Sequence, residues 1–306
     1  MAKQGGVLVA GSINTDLVAH VKRSPEAGET VTGQSFAIFG GGKGANQAVA
    51  CARSEAATAI IGAVGNDVFG RQRLDSLRAE GVDVSNVAVV DSPPSGVALI
   101  LVEAGGENRI AYVPGATTTV TAEQASAAFH RFQPSVVLTT LELPHEALHA
   151  LIETAKQSGA TVIVNATPES SQGEDLVATA DVLVVNETEA SELLGIPSTK
   201  NEWGELAIKL VDLGPSVVAI TLGSQGALLN SLGETWAIPS PSVDVVDTTG
   251  AGDAFSGAFA AAVARGCAMH DAGTIGVVAG ALAVTKQGAQ PSMPTLSEIV
   301  DLMRNT

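Results

Sequence analysis

The chain has 306 residues, 45% hydrophobic and only 3% aromatic, with 32 acidic against 16 basic residues for a net charge of −16. That length holds one large α/β domain, residues 1–306, and the charge argues against a nucleic acid backbone or an anionic membrane as partner. Two cysteines, Cys51 and Cys267, without metal spacing or a disulfide framework, fit a reducing, cytoplasmic setting, and the longest apolar stretch, Ile275 to Val284, is about half a bilayer span.

Val7 to Ala10 is a short continuous apolar run closed by Gly11, as expected of a strand buried in a parallel sheet. Asn14 and Asp16 follow at its carboxyl edge. Alternate positions of an extended chain share a face, so both can address one polyol, although neighbouring Asn and Asp also make ordinary turns. From Val18 to Phe39 the pattern turns to polar alternation broken by Pro25, Gly28 and Gly33, with a β-prone Glu29-Thr-Val-Thr32, which predicts a small antiparallel excursion.

Gly40-Gly-Gly-Lys43-Gly-Ala-Asn46-Gln then opens a helix over Gly44 to Ser54. It is not a Walker A loop, because Ala37 and Gly44 stand where that motif needs Gly and Ser or Thr. Its glycines still let a backbone approach a ligand, and Asn46 can donate and accept toward a hydroxyl; a flexible turn with a helix cap is the plainer alternative.

Thr58 to Ala63 reads as a strand and Val68 to Glu80 as a helix. A second β excursion covers Gly96 to Val102 and Arg109 to Val113 around the turn Ala104 to Glu107. Regular βα alternation follows, with helices at Ala122 to Phe132, Glu146 to Gln157, Glu187 to Leu194 and Glu202 to Leu213. The strands between them are Val136 to Thr140, Thr161 to Asn165, Val182 to Val185 and Val217 to Leu222.

Glu142 is a carboxylate just past one strand end. Asn186-Glu-Thr-Glu189 lies at another and suits a hydrated Mg²⁺ carrying nucleotide phosphates, since Mg²⁺ takes oxygen ligands and keeps waters. Acids at a helix start are also common for the dipole alone. Thr221-Leu-Gly223-Ser-Gln-Gly226 sets hydroxyls and glycine backbone where nucleotide phosphates or ribose can lie, or makes only a glycine-rich turn. A hairpin of Gly226 to Ser231 and Thr235 to Ile238 about Gly233 precedes two closing helices, Gly252 to Arg265 and Asp271 to Thr285. The whole is an α/β pattern: a doubly wound, mostly parallel sheet in a three-layer αβα arrangement, with ligands expected beyond the carboxyl ends of its strands.

The most informative stretch is Asp247-Thr-Thr-Gly-Ala-Gly-Asp253, which runs from a Gly-rich turn into an Ala-rich segment of helical period. Gly250, Ala251 and Gly252 leave backbone N–H groups unpaired at a helix start, where the dipole favours an anion. Asp253 sits among those donors. Phosphoryl transfer needs that pairing: a base for the attacking hydroxyl and donors for charge developing on the phosphate. An N-capped helix is the plainer alternative.

Taken in order, Gly11-Ser-Ile-Asn14-Thr-Asp16, Pro25-Glu-Ala-Gly-Glu-Thr30, Gly41-Gly-Lys-Gly-Ala-Asn-Gln47, Asn186-Glu-Thr-Glu189, Thr221-Leu-Gly-Ser and Asp247 to Asp253 closely resemble the ribokinase-like carbohydrate kinase family, of phosphofructokinase-B type. The resemblance covers nearly the whole chain. Lys286-Gln-Gly-Ala-Gln-Pro-Ser292 looks like the family's ribose kinases rather than its fructokinases or nucleoside kinases.

The resemblance implies ATP-dependent phosphorylation of D-ribose at its 5-hydroxyl. It implies Asp253 as base and Gly250, Ala251 and Gly252 as anion hole. Asn14, Asp16, Gly42, Lys43, Asn46 and Glu142 are implied to hold the sugar, Asn186 and Glu189 to order Mg²⁺ through water, and Asn186, Thr221, Gly223, Gly226 and Gly252 to lie along the nucleotide. A potassium site is implied at Asp247, the carbonyls of Thr249, Ala283, Lys286 and Gly288, and Ser292. The two β excursions, about 17–39 and 96–113, are implied to form a lid that pairs with the lid of a second subunit in a homodimer. Two departures stand out: Gly40 adds a glycine where a bulkier residue is expected, and Val277 lies where a polar residue near adenine is expected. Another furanose or a nucleoside as acceptor is the nearest competing reading. A catalytically silent sugar-binding regulator is the rival from another class, and it predicts loss of Asp253 or its glycines.

Overall fold

Alternate residues of the first strand feed two separate cores: Val7 and Val9 pack on one side, Leu8 and Ala10 on the other. A strand with both faces apolar needs cover on both, and helix layers supply it. The computed structural model describes residues 5–166, 173–196, 203–231 and 233–305.

The larger sheet contains, in chain order, β1 (Val7–Ala10), β4 (Thr58–Gly65), β5 (Asp83–Val90), β8 (Val136–Thr140), β9 (Thr161–Asn165), β10 (Val182–Asn186), β11 (Val217–Thr221), β12 (Ala227–Ser231) and β13 (Glu234–Ile238). Its spatial order is β13-β12-β11-β10-β9-β8-β1-β4-β5. All neighbours are parallel except β11–β12 and β12–β13, the hairpin that turns at Gly233 with φ +82°. One face is covered by α1 (Lys43–Arg53), α2 (Val68–Ala79), α8 (Ala251–Ala264), α9 (Met269–Ala283) and α10 (Leu296–Asn305). The other is covered by α3 (Ala122–Phe132), α4 (His145–Ser158), α5 (Glu174–Thr179), α6 (Glu187–Leu194) and α7 (Trp203–Val211). Few aromatics are needed because small residues bring helices close. A Cβ on Gly257 of α8 would come within 2.5 Å of Ala50 Cβ on α1.

The second sheet is small and has the order β3-β2-β6-β7, from β2 (Asn14–Val21), β3 (Ser35–Gly41), β6 (Gly96–Glu103) and β7 (Asn108–Val113). Cross-strand rows set Asp16, Ala98 and Tyr112 on one face and Leu17, Ile38 and Leu99 on the other.

Several elements differ from the sequence reading. Strand β2 begins at Asn14, ahead of the expected excursion, and Glu29 to Thr32 lies in irregular chain, the strands forming on either side of it. β5 was missed because its exposed Asp83 and Ser85 and polar Asn86 mask an edge strand. The chain closes on α10 rather than on the two helices expected. Its start is a capping box in which Thr295 N donates to Glu298 Oε2 at 2.7 Å and Glu298 N donates to Thr295 Oγ1 at 3.3 Å. The short α5 also escaped notice, and Glu202, the expected start of α7, lies outside the described residues.

Candidate active site

β1 and β8 lie side by side at the point where the chain turns opposite ways to build the sheet, the place where open α/β sheets form a crevice. Glu142, just beyond β8, is held there by three donors that converge on Oε2: Ser12 N at 3.1 Å, Ser12 Oγ at 2.7 Å and Thr140 Oγ1 at 2.8 Å. Asn14 and Asp16 share a face of β2, as the alternation required. Their side chains lie flat against the neighbouring strands. A Cβ on Gly96 would collide with Asn14 Oδ1, and one on Gly41 with the Asp16 carboxylate. Burial pushes Asp16 up to about 6, and the positive charge of Arg73 works against that rise.

Tyr112, in the same cross-strand row as Asp16, brings its phenol to the side chains of Asn14, Thr117 and Ser12. Burial raises the affinity of that phenol for its proton, and the Glu142 carboxylate adds to the effect. Neither Tyr112 nor Ser12 stood out as a site residue in the sequence.

Gly250, at φ +79°, turns the chain into α8, a conformation that a residue with a side chain rarely adopts. Ala254 N bonds Gly250 O at 2.8 Å, so the helix is established one residue past Asp253. The N–H groups of its first turn point out of the helix end. Asp253 accepts from Asn46 Nδ2 at 2.9 Å on Oδ2 and from Gln47 Nε2 at 3.0 Å on Oδ1. Gln47 also donates to Asn165 Oδ1 at 2.8 Å, and Asn165 Nδ2 donates to Val184 O at 3.1 Å. Burial pushes the Asp253 carboxyl up to about 6; the Lys43 charge and the two amides pull it down, and Glu142 adds a smaller push upward. Asn46 Oδ1 is buried without a partner, an acceptor available to a hydroxyl.

Asp253 and Gly250 to Gly252 border a pocket of about 270 Å³ whose walls include Lys43, Asn165, Asn186 and Glu189. It adjoins a cavity of about 650 Å³, with which it shares Asn186, Thr221, Thr248, Ala251 and Gly252. Gly223, Gly226, Phe255 and Val277 line that larger cavity, so Val277 gives an apolar wall where a polar contact was expected. Lys43 Nζ stands 3.7 Å from Glu189 Oε1, which aims it into the smaller pocket rather than at Asn14 and Asp16. Asn186 and Glu189 cap α6 reciprocally, Asn186 N to Glu189 Oε2 at 2.8 Å and Glu189 N to Asn186 Oδ1 at 2.9 Å. The plain helix-cap reading of that motif is therefore realised, yet both residues also line the pocket.

Asp247 Oδ1 accepts from Thr249 N at 2.9 Å and Thr249 Oγ1 at 2.7 Å, while Oδ2 accepts from Gly288 N at 2.8 Å. The carboxylate thus ties the loop before α8 to the turn after α9. In that turn Ala283 O accepts from Lys286 N at 3.2 Å, and Ser292 Oγ donates to Ala289 O at 2.7 Å. The Lys286 ammonium reaches Glu298 Oε1 at 2.7 Å. The loop and the turn thus bring a carboxylate, main-chain carbonyls and a hydroxyl into one region, oxygen ligands of the kind a hard cation takes. Among the described residues no group of three or more His, Cys, Asp or Glu is arranged to hold a metal ion.

The sequence model of the pfkB family of carbohydrate kinases matches residues 4–296. Ribokinase of Schizosaccharomyces pombe is 38% identical over 98% of this chain and 99% of its own length. Ribokinase of Haemophilus influenzae is 35% identical over 97% and 98%. Among solved structures, Arabidopsis thaliana ribokinase complexed with ribose and ATP superposes with a TM-score of 0.88 at 30% identity, covering 98% of this chain and 99% of that one.

Proposed function

The chain belongs to the pfkB family of carbohydrate kinases, and from this we propose that it transfers the γ-phosphoryl group of ATP to the 5-hydroxyl of D-ribose, giving D-ribose 5-phosphate and ADP. One observation carries the reading. Asp253 is held by Asn46 and Gln47 at a helix start, with the polar cluster of Asn14, Asp16 and Glu142 on the sugar side and a nucleotide-sized cavity on the other.

Ribose lies among Asn14, Asp16, Gly42, Asn46 and Glu142, with Lys43 between it and Glu189. Asp253 accepts the proton of O5 as that oxygen attacks the γ-phosphorus in line. The new O5–P bond forms as the bond to ADP breaks, and the Gly250 to Gly252 amides stabilise charge on the transferring group. ATP occupies the larger cavity along Thr221, Gly223 and Gly226.

Asn186 Oδ1 and Glu189 Oε2 are engaged in the helix cap and Glu189 Oε1 stands 3.7 Å from the Lys43 ammonium, which supports contact with Mg²⁺ through water. When bound, that ion supplies charge neutralisation at the phosphates. Oxygens of Asp247, Thr249, Ala283, Lys286, Gly288 and Ser292 would hold potassium, which would shape the loop leading to Gly250 without joining the chemistry.

The whole chain acts as one α/β unit whose small sheet is a lid that excludes water from the reacting phosphate. Phe36, Ile38, Leu99 and Val113 are exposed on one face of that sheet, and such a patch supports pairing with the lid of a second copy in a homodimer.

A coupled ADP-release assay across ribose, 2-deoxyribose, fructose and adenosine tests the reading. Ribose is expected to give the highest kcat/KM, and turnover of adenosine or fructose above that of ribose would contradict it.

A further inference from the structure

The small sheet meets the core at the start of β6, and one carboxylate ties that junction down. Asp67, the residue before α2, accepts from Gly70 N on Oδ1 at 2.8 Å and so caps the helix. The same carboxylate reaches Ser95, the residue before β6. Ser95 N donates to Oδ2 at 2.8 Å, and Ser95 Oγ donates to Oδ1 at 2.8 Å. Ser95 Oγ accepts in turn from Gly65 N, at the end of β4, at 2.9 Å. Ser95 is buried, and a Cβ on Gly65 would come within 2.5 Å of Ser95 N and 2.6 Å of Asp67 Oδ2. Capping α2 needs only the bond to Gly70. The other three fasten the root of β6 to the core sheet.

Ser95 leads into Gly96, which pairs with Asn14 across β6 and β2. Asn14 is 5% exposed and lies against Gly96, where a Cβ would come within 2.2 Å of its Oδ1. That oxygen has no hydrogen-bond partner, so this end of the amide is placed by packing on Gly96. The chain leaving β7 closes on the same point: Ala116 N donates to Pro94 O at 2.8 Å. A shift of Ser95 therefore moves the floor under Asn14. Asp67 borders neither of the two active-site cavities, so an effect on the sugar passes through Ser95 and Gly96.

We propose that Asp67 is a positioning residue for the sugar site, its carboxylate clamping Ser95 so that Gly96 seats Asn14 for the sugar hydroxyls. The proposal rests on the reading above that Asn14 binds the sugar. Asn is as good a helix cap as Asp, so Asp67→Asn keeps a capping oxygen for α2. Its amide nitrogen then meets Ser95 N donor against donor, and the clamp opens. Asp67→Ser also keeps a capping oxygen but lacks the second oxygen that Ser95 N needs.

The test is steady-state kinetics of Asp67→Asn, Asp67→Ser, Asn14→Ala and the double variant of Asp67→Asn with Asn14→Ala, with a thermal melt of each. Both Asp67 variants are expected to raise the ribose KM about tenfold, with kcat and the ATP KM within about threefold. Asn14→Ala should also raise the ribose KM, and adding Asp67→Asn to it should cost about twofold more at most. A normal ribose KM in both Asp67 variants, beside an impaired Asn14→Ala enzyme, overturns the positioning role and leaves the sugar site standing. A normal ribose KM in Asn14→Ala overturns the sugar-site reading and this proposal together. If the two effects multiply in the double variant, Asp67 does not act through Asn14 and the proposal fails. It fails equally if the Asp67 variants are unfolded in the melts, or lower kcat and raise both KM values alike, because the residue is then structural.

Discussion

Gln47 Nε2 lies 3.0 Å from Asp253 Oδ1 and bonds Asn165 as well, so one amide of α1 fixes the acid at the start of α8 against the end of β9. Gln47 is fully buried and its Oε1 has no partner, which sets the whole donor group toward the acid and Asn165. An acid aimed from two sides by Asn46 and Gln47 keeps its free lone pairs directed at the pocket.

Replacing Gln47 with Leu keeps the volume and removes the donor. We expect kcat to fall about 10- to 100-fold through misorientation of the base, with the ribose KM changed much less. Steady-state kinetics check this, and an unchanged kcat would remove Gln47 from the site.

The Asp253 carboxyl, pushed up to about 6 by burial, must be ionised to take a proton. kcat should therefore fall as pH drops through about 6. The same shift acts on stability with a definite sign. A folded pKa of about 6 against 3.8 unfolded means that between those values the native state holds a proton the unfolded chain releases, so this group's contribution to stability declines as pH rises across that window. Thermal melts of the ligand-free Asp253→Asn variant should show a gain over wild type that is larger at pH 8 than at pH 4.5. A gain independent of pH would contradict the burial argument.

Asp247 joins the loop before α8 to Gly288, so a cation bound among their oxygens would act at a distance on the backbone of Gly250 to Gly252. Activity in sodium-only buffer should be several-fold below that in potassium, and Asp247→Asn should abolish the difference. Equal rates in the two buffers would remove the monovalent site.

Much of this was legible in the sequence because it is local. Val7 to Ala10, the βα alternation after Val113 and the Asp247 to Asp253 motif each carry their signal within a few consecutive residues. The face shared by Asn14 and Asp16 follows from alternation alone. What was not legible depends on distant partners: Gln47 meets Asn165 across 118 residues and Asp253 across 206. Tyr112 becomes a neighbour of Asn14 only through the pairing of β6 with β2 and of β7 with β6. α10 did carry a local signal, the Thr295 and Glu298 box, which the proline at 294 and the polar helix face obscured.

The sharpest test is phosphoryl transfer by Asp253→Asn, measured by ADP release with ribose binding followed separately by calorimetry. Turnover is expected to fall by about three orders of magnitude or more, with ribose affinity still measurable. Near-normal phosphorylation by that variant would contradict the assignment of Asp253 as the base.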